Sequence, residues 1–126
     1  MPALQKTERL TNSLWADSQA VKAWRDKARV QAISALCLVR NPDYAVYAVR
    51  NSRSLLGLAA IKESESEVYL LHLASRDPGK GMGTYLIEEI QRIANGRRIR
   101  TTPEPSAESF YEHLGWRHIG KEFWSK

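Results

Sequence analysis

At 126 residues the chain reads as a single domain over residues 1–126, with room for a modest core. No apolar run approaches the length of a membrane span, and a single cysteine excludes an internal disulfide. The net charge of +5 suits an anionic ligand or nucleic acid, so charge alone leaves both classes open.

Residues 1–16 carry little pattern, and Thr7-Glu8-Arg9-Leu10-Thr11 reads as a short strand. Met1 to Arg9 lacks the apolar core of a signal peptide, and the lone Cys37 suits a reducing compartment, so the expected location is cytoplasmic. Asp17-Ser18 reads as the cap of a helix running to about Leu36, with Val21, Trp24, Ala28, Ala32 and Leu36 as its apolar stripe. Trp15 and Trp24 are expected to pack in the core or to wall a substrate cleft. Cys37 lies in the apolar run Ala35-Leu36-Cys37-Leu38-Val39 and is expected to be a buried structural thiol. Asn41-Pro42-Asp43 is a turn, Tyr44 to Arg50 alternates as a strand does, and Asn51-Ser52-Arg53 is a hairpin loop into a strand from Ser54 to Lys62. Gly57 inside that strand marks a bulge or a close approach.

After the polar turn Glu63-Ser64-Glu65-Ser66 comes an apolar strand, Glu67 to Ala74, and then Ser75-Arg76-Asp77-Pro78-Gly79-Lys80-Gly81-Met82-Gly83-Thr84. The amphipathic run from Thr84 to Ala94 follows, with Tyr85, Leu86, Ile90 and Ile93 at helical spacing. Three glycines thus join a buried strand to a helix N-terminus. Glycine lets a ligand approach the backbone, the first helical amides point into the turn, and Lys80 adds positive charge. This is a phosphate cradle. It does not end as a P-loop does, and it stands too late in the chain for a dinucleotide fold.

The basic turn Arg97-Arg98-Ile99-Arg100 reads as a solvated helix-to-strand turn ahead of a nucleic-acid contact, since no aromatic residues interleave it. A short strand, Ile99 to Thr102, precedes a helix capped by Ser106, running through His113 and closed by Gly115. His72, His113 and His118 are scattered, so no metal site is expected.

Two of these segments carry a resemblance. Leu73 to Leu86, with Gly79-Lys80-Gly81-Met82-Gly83 at its centre, resembles the acyl-CoA-binding motif of the GNAT superfamily of N-acetyltransferases. Pro78 stands where the family usually has Arg or Gln, and a shifted frame, Arg76-x-x-Gly79-x-Gly81, lets Arg76 supply that donor. Ala107-x-x-Phe110-Tyr111-Glu112-x-Leu114-Gly115-Trp116 is similar to a second family segment, about 30 residues on and in the same order. The resemblance spans roughly residues 44–120 and is to a small, truncated member.

The fold it implies is α/β (α+β), a mixed and mostly antiparallel central sheet flanked by helices, with a V-shaped splay for acyl-CoA. The activity it implies is direct transfer of an acetyl group from acetyl-CoA (coenzyme A) to a primary amine, on a small molecule or a protein, in a ternary complex. Cofactor contacts would come from Leu73, Ala74, Ser75, Arg76, Gly79, Lys80, Gly81, Met82, Gly83 and Thr84. Tyr111 occupies the family's general-acid position, and Glu67 stands about where some relatives hold a base. An alkylammonium with a pKa of about 10.4 must lose a proton to a base or a water wire before it can attack, and the base stays open. His72 titrates in the right range, but strict alternation with Leu71 and Leu73 would turn it to the other side. The acceptor pocket would be built from about residues 10–45. Only 11 residues follow Gly115, so the closing strands are short or partly missing, and an exposed edge would favour a homodimer. A catalytically silent acyl-CoA-binding regulator and a small basic nucleic-acid-binding module stand as alternatives.

Overall fold

The computed structural model describes residues 5–12, 15–52 and 54–125. Its centre is the apolar run ahead of the glycines, which becomes strand β4, Glu67–Ser75. Before it come β1 (Gln5–Leu10), helices α1 (Trp15–Lys22) and α2 (Asp26–Cys37), β2 (Ala45–Asn51) and β3 (Ser54–Glu63). After it come α3 (Met82–Ala94), β5 (Arg98–Thr101), a 3-10 turn (Pro105–Ala107), α4 (Glu108–His113), β6 (Arg117–Ile119) and β7 (Glu122–Trp124). The strands form one sheet in the order β1-β2-β3-β4-β5-β7-β6, with β4 and β5 parallel and the other neighbours antiparallel. The parallel step needs a crossover, and α3 provides it.

Alternation along the strands divides the core into two layers. Ala59, Ile61, Val68 and Leu70 pack against Met82, Leu86, Ile87 and Ile90 of α3, and against Tyr111, Trp116 and Phe123. Val46, Ala48, Leu58, Ala60 and Ala74 pack on the other face, against Val21, Trp24, Ala32, Ala35 and Leu36. β3 is buried on both faces, as a central strand requires. At Gly57 both expectations hold. The β2–β3 register shifts beside it, and a Cβ there would stand 2.9 Å from Leu86 Cδ1 and 3.0 Å from Met82 Cγ, so the missing side chain lets α3 settle onto the sheet.

Several expectations are corrected. The helix from Asp17 to Leu36 is two helices, broken at Ala23–Arg25, where the amides of Ala23 and Trp24 make tight bonds to Ala20 and Val21 and the chain leaves the α-helix at Arg25. The break swings Trp24 into the corner between the helices, where it is buried. Asp17 is not a cap. It lies inside α1, is 4% exposed, and its carboxylate forks onto Arg50 at 2.7 and 2.8 Å. Trp15 is 77% exposed, and Cys37, turned outward by the helical spacing, is exposed too. Ser106 caps no α-helix. Its residues form the 3-10 turn, α4 begins at Glu108, and the Ser106 hydroxyl instead accepts from Lys27 Nζ at 2.8 Å. Arg53 of the hairpin lies outside the described residues.

The closing strands are short rather than missing. β7 inserts beside β5, pinned where the Ile99 amide donates to Ser125 Oγ at 2.7 Å, and β6 forms an exposed edge. Among the described residues no helix is long and apolar enough to cross a membrane.

Candidate active site

The pairing of β4 with β5 stops early. Its last rung is Leu70 with Thr101, whereas β4 runs on to Ser75. The Thr101 hydroxyl donates to the Leu70 carbonyl at 2.9 Å in a buried bond at that last rung. Beyond that rung the residues of β4 have no β5 partner, and their backbone borders a cavity of about 270 Å³. The cavity passes through the sheet. Lys27, Ala28 and Gln31 of α2 line it on one face, and Ala107 and Tyr111 line it on the other. Of the residues expected to bind a ligand, Leu73, Ala74 and Ser75 line it, together with Pro78.

The cradle sits where β4 ends. Gly79 has φ +83° and Gly81 φ +88°, a conformation that side chains resist, while a Cβ at either would touch nothing. These two are glycine for backbone reasons. Gly83 is glycine for space, because a Cβ there would lie 3.2 Å from the Phe110 ring. Gly81 caps α3 without a side-chain bond and no acidic residue occupies the first turn, so the amides of Met82, Gly83 and Thr84 open the helix free of a local anion. Lys80 is exposed beside them. Arg76 pairs with the neighbouring Asp77 at 2.8 Å, an ion pair at the surface.

Tyr111 stands at the foot of the cavity. Its ring is 4% exposed, edge-on to Phe110 at 5.0 Å and tilted against Trp116 and Phe123 at 5.1 and 5.7 Å. Burial pushes its phenol well above the usual tyrosine range, against the smaller opposite pull of the Thr101 hydroxyl. The phenol is protonated at neutral pH, as a tyrosine's ordinarily is.

Glu67 is not brought to this cavity. It is the first residue of β4, about 13 Å from Leu71 along the strand, and it is paired with Arg100 at 2.9 Å. It lines a separate recess with Tyr44, Lys62, Tyr69 and Arg100, which shares the lining residue Leu71 with the cavity. The basic turn is likewise engaged within the protein. Arg97 holds Glu63 and the carbonyls of Ser64, Ile93 and Ala94, and Arg100 bridges Glu67 and Glu122 between the rings of Tyr69 and Trp124.

His72 is where strict alternation misleads. His72 pairs with Ala60 and Leu70 with Ile61, so Leu71 has no partner and forms a bulge. Leu71 and His72 then both lie on the α2 side, and His72 Nδ1 meets Gln31 Oε1 at 2.5 Å. Burial lowers its pKa below the usual histidine value. A bulge leaves no mark in residue type, and Gln31 and Lys27 show no local signal either, because their partners are 41 and 79 residues away.

The family model for the acetyltransferase (GNAT) domain matches residues 15–126. Among solved structures, an acetyltransferase from Thermus thermophilus is similar at TM-score 0.66 and 16% identity, over 98% of this chain and 97% of that one. The N-acetyltransferase PseH of Campylobacter jejuni matches at TM-score 0.66 and 15% identity, over 96% and 95%. The PaiA N-acetyltransferase of Thermoplasma acidophilum, solved in complex with coenzyme A, matches at TM-score 0.60 and 15% identity, over 96% of each chain. No curated protein matches the sequence.

Proposed function

Since the chain belongs to the GNAT acetyltransferase family and is an acyltransferase, we propose that it moves an acetyl group from acetyl-CoA to a primary amine by direct transfer. One observation carries the reading: β4 parts from β5 between an anion-seeking cradle and a buried, protonated tyrosine. An elongated thioester with a pyrophosphate at one end suits that arrangement. The phosphates would lie on the amides from Gly79 to Thr84 near Lys80, and the arm would run along Leu73, Ala74 and Ser75 in the place of a strand. The neighbour PaiA, in complex with coenzyme A, supports that ligand class. A β4 amide near Leu73 would stabilise the carbonyl oxygen as charge develops on it. Tyr111 would then protonate the departing sulfur. The acceptor reaches the cavity from the α2 face, where the recess at Leu71 opens.

The test is thermal unfolding with and without acetyl-CoA, beside ATP and NAD, followed by turnover on spermidine, tyramine, glycinamide and a lysine peptide. Ligand at about 100 times its dissociation constant adds roughly 2.7 kcal/mol, a shift of several degrees at this size. A shift with acetyl-CoA alone and release of thiol with one of these amines are expected. Tyr111→Phe then separates an enzyme from a binder. It should slow transfer by about 10²–10⁴-fold with acetyl-CoA affinity intact. Stabilisation by acetyl-CoA without turnover would mean a silent binder, for which Pro78 is the motivating feature.

A further inference from the structure

We propose that the acceptor is a small amine carrying an anionic group, and that Lys62, in the recess beside the cavity, receives that group. The inference rests on the acetyl-transfer reading and adds to it the class of amine.

The recess holds about 400 Å³ and lies on the α2 side of the sheet. Tyr69 alternates with Val68 and Leu70, which belong to the α3-side core, so its ring turns the other way. Lys62 and Arg100 pair with Tyr69 across the sheet, and their neighbours Ile61 and Ile99 also belong to the α3-side core. Lys62, Tyr69 and Arg100 therefore form one row on the face where Leu71 packs. That row stands two residues before Leu71, about 7 Å along the strand. An amine that reaches the thioester past Leu71 lays its tail over this row.

Charge decides which tail the row accepts. Both carboxylates that line the recess are already paired, Glu63 with Arg97 at 2.7 Å and Glu67 with Arg100 at 2.9 Å. Arg100 is doubly engaged, since it also holds Glu122, which lies outside the recess lining. Lys62 differs. Among the described residues it pairs with no carboxylate, and its exposed ammonium rests 5.9 Å from the centroid of the Tyr44 ring. A ring face occupies one side of an ammonium and leaves donors for an anion on the other. The cavity adds a cation of the same kind, because Lys27 on its α2 face bonds the neutral Ser106 hydroxyl at 2.8 Å. The exposed Glu104 lines the cavity but not the recess. The second ammonium of a polyamine would thus find the recess carboxylates taken and Lys62 repelling it. A tail ending in an anion finds Lys62 unpaired, and about four or five methylenes span the distance from Leu71.

The experiment compares δ-aminovalerate, ε-aminocaproate, aminobutylphosphonate, pentylamine and cadaverine as acceptors, measuring kcat/KM at low and high salt and acetyl-CoA affinity by calorimetry. The wild type should favour the anionic amines over pentylamine by about fivefold, the upper range of an exposed ion pair, with cadaverine poorest. That preference should shrink as salt rises. The rank of the phosphonate against the two carboxylates tells which anion the acceptor carries. Lys62→Glu should reverse the order and put cadaverine ahead of δ-aminovalerate, whereas a merely structural loss slows all five alike. The wild-type ranking needs no variant to fold. The proposal is overturned if pentylamine or cadaverine matches the anionic amines in the wild type, if no anionic amine is acetylated, or if Lys62→Glu keeps the wild-type order. Failure of the wild type to bind acetyl-CoA is a different result. It removes the acetyl-transfer reading, and the acceptor class with it.

Discussion

Replacing Asp17 with alanine removes a carboxylate that is 4% exposed and accepts two bonds from Arg50, at 2.7 and 2.8 Å. Arg50 sits on β2 and also reaches Glu8 on β1, so one guanidinium ties an edge strand, a helix and an inner strand together. Bonds to charged groups contribute roughly 1.5–3 kcal/mol each. The sum overstates the loss, because the Arg50 side chain is 23% exposed, can rehydrate, and keeps Glu8. We therefore expect Asp17→Ala to cost about 2–3 kcal/mol. At this chain length that corresponds to roughly 6–15 °C in Tm. Urea unfolding followed by tryptophan fluorescence measures it, with Arg50→Met and the double variant completing a cycle. The coupling should be about 1–2 kcal/mol. A coupling within about 0.5 kcal/mol of zero would show that the fork is incidental and that α1 is held by packing alone.

Gly83→Leu drives a side chain into the Phe110 ring, which packs on Tyr111. It should cost about 1–3 kcal/mol and weaken acetyl-CoA binding by more than about tenfold, and unchanged calorimetric affinity would refute the packing argument. Ser125→Ala leaves the buried Ile99 amide without its side-chain acceptor, so β7 should loosen at a cost of about 1–2 kcal/mol in a urea titration, with no change if water replaces the hydroxyl. Stability should also fall on acidification in two stages. His72 has a depressed pKa in the folded state, so below about 6.5 the unfolded chain binds more protons and stability drops. Glu89, whose pKa is lowered mainly by its bond to Arg92, contributes above about 4.5 and is lost below that. A profile flat from pH 7 to 5, or one unchanged in His72→Gln, would contradict the first stage.

Much of this molecule was legible because its causes are local. A strand buried on both faces must be apolar throughout, a turn at positive φ must be glycine, and an amphipathic helix must repeat its apolar residues every third or fourth position. β2, β3, β4, α3 and the cradle therefore stand within a residue or two of where these rules put them. The segment around Tyr111 was legible only by resemblance, since an aromatic residue in a helix reads equally well as core. What local rules could not supply is whatever depends on a distant partner. Asp17 looks like a helix cap until Arg50, 33 residues away, claims its carboxylate. Ser106 looks like another until Lys27 reaches it across 79 residues. The face of His72 follows from a bulge that only the register with β3 can impose, and the parting of β4 from β5 after Leu70 and Thr101 shows only in the pairing of the two strands. Residue type sets what each backbone segment can do. Which partner a buried polar group such as the Asp17 carboxylate takes is decided when the sheet closes, because leaving that charge unpaired would cost more than a local capping preference returns.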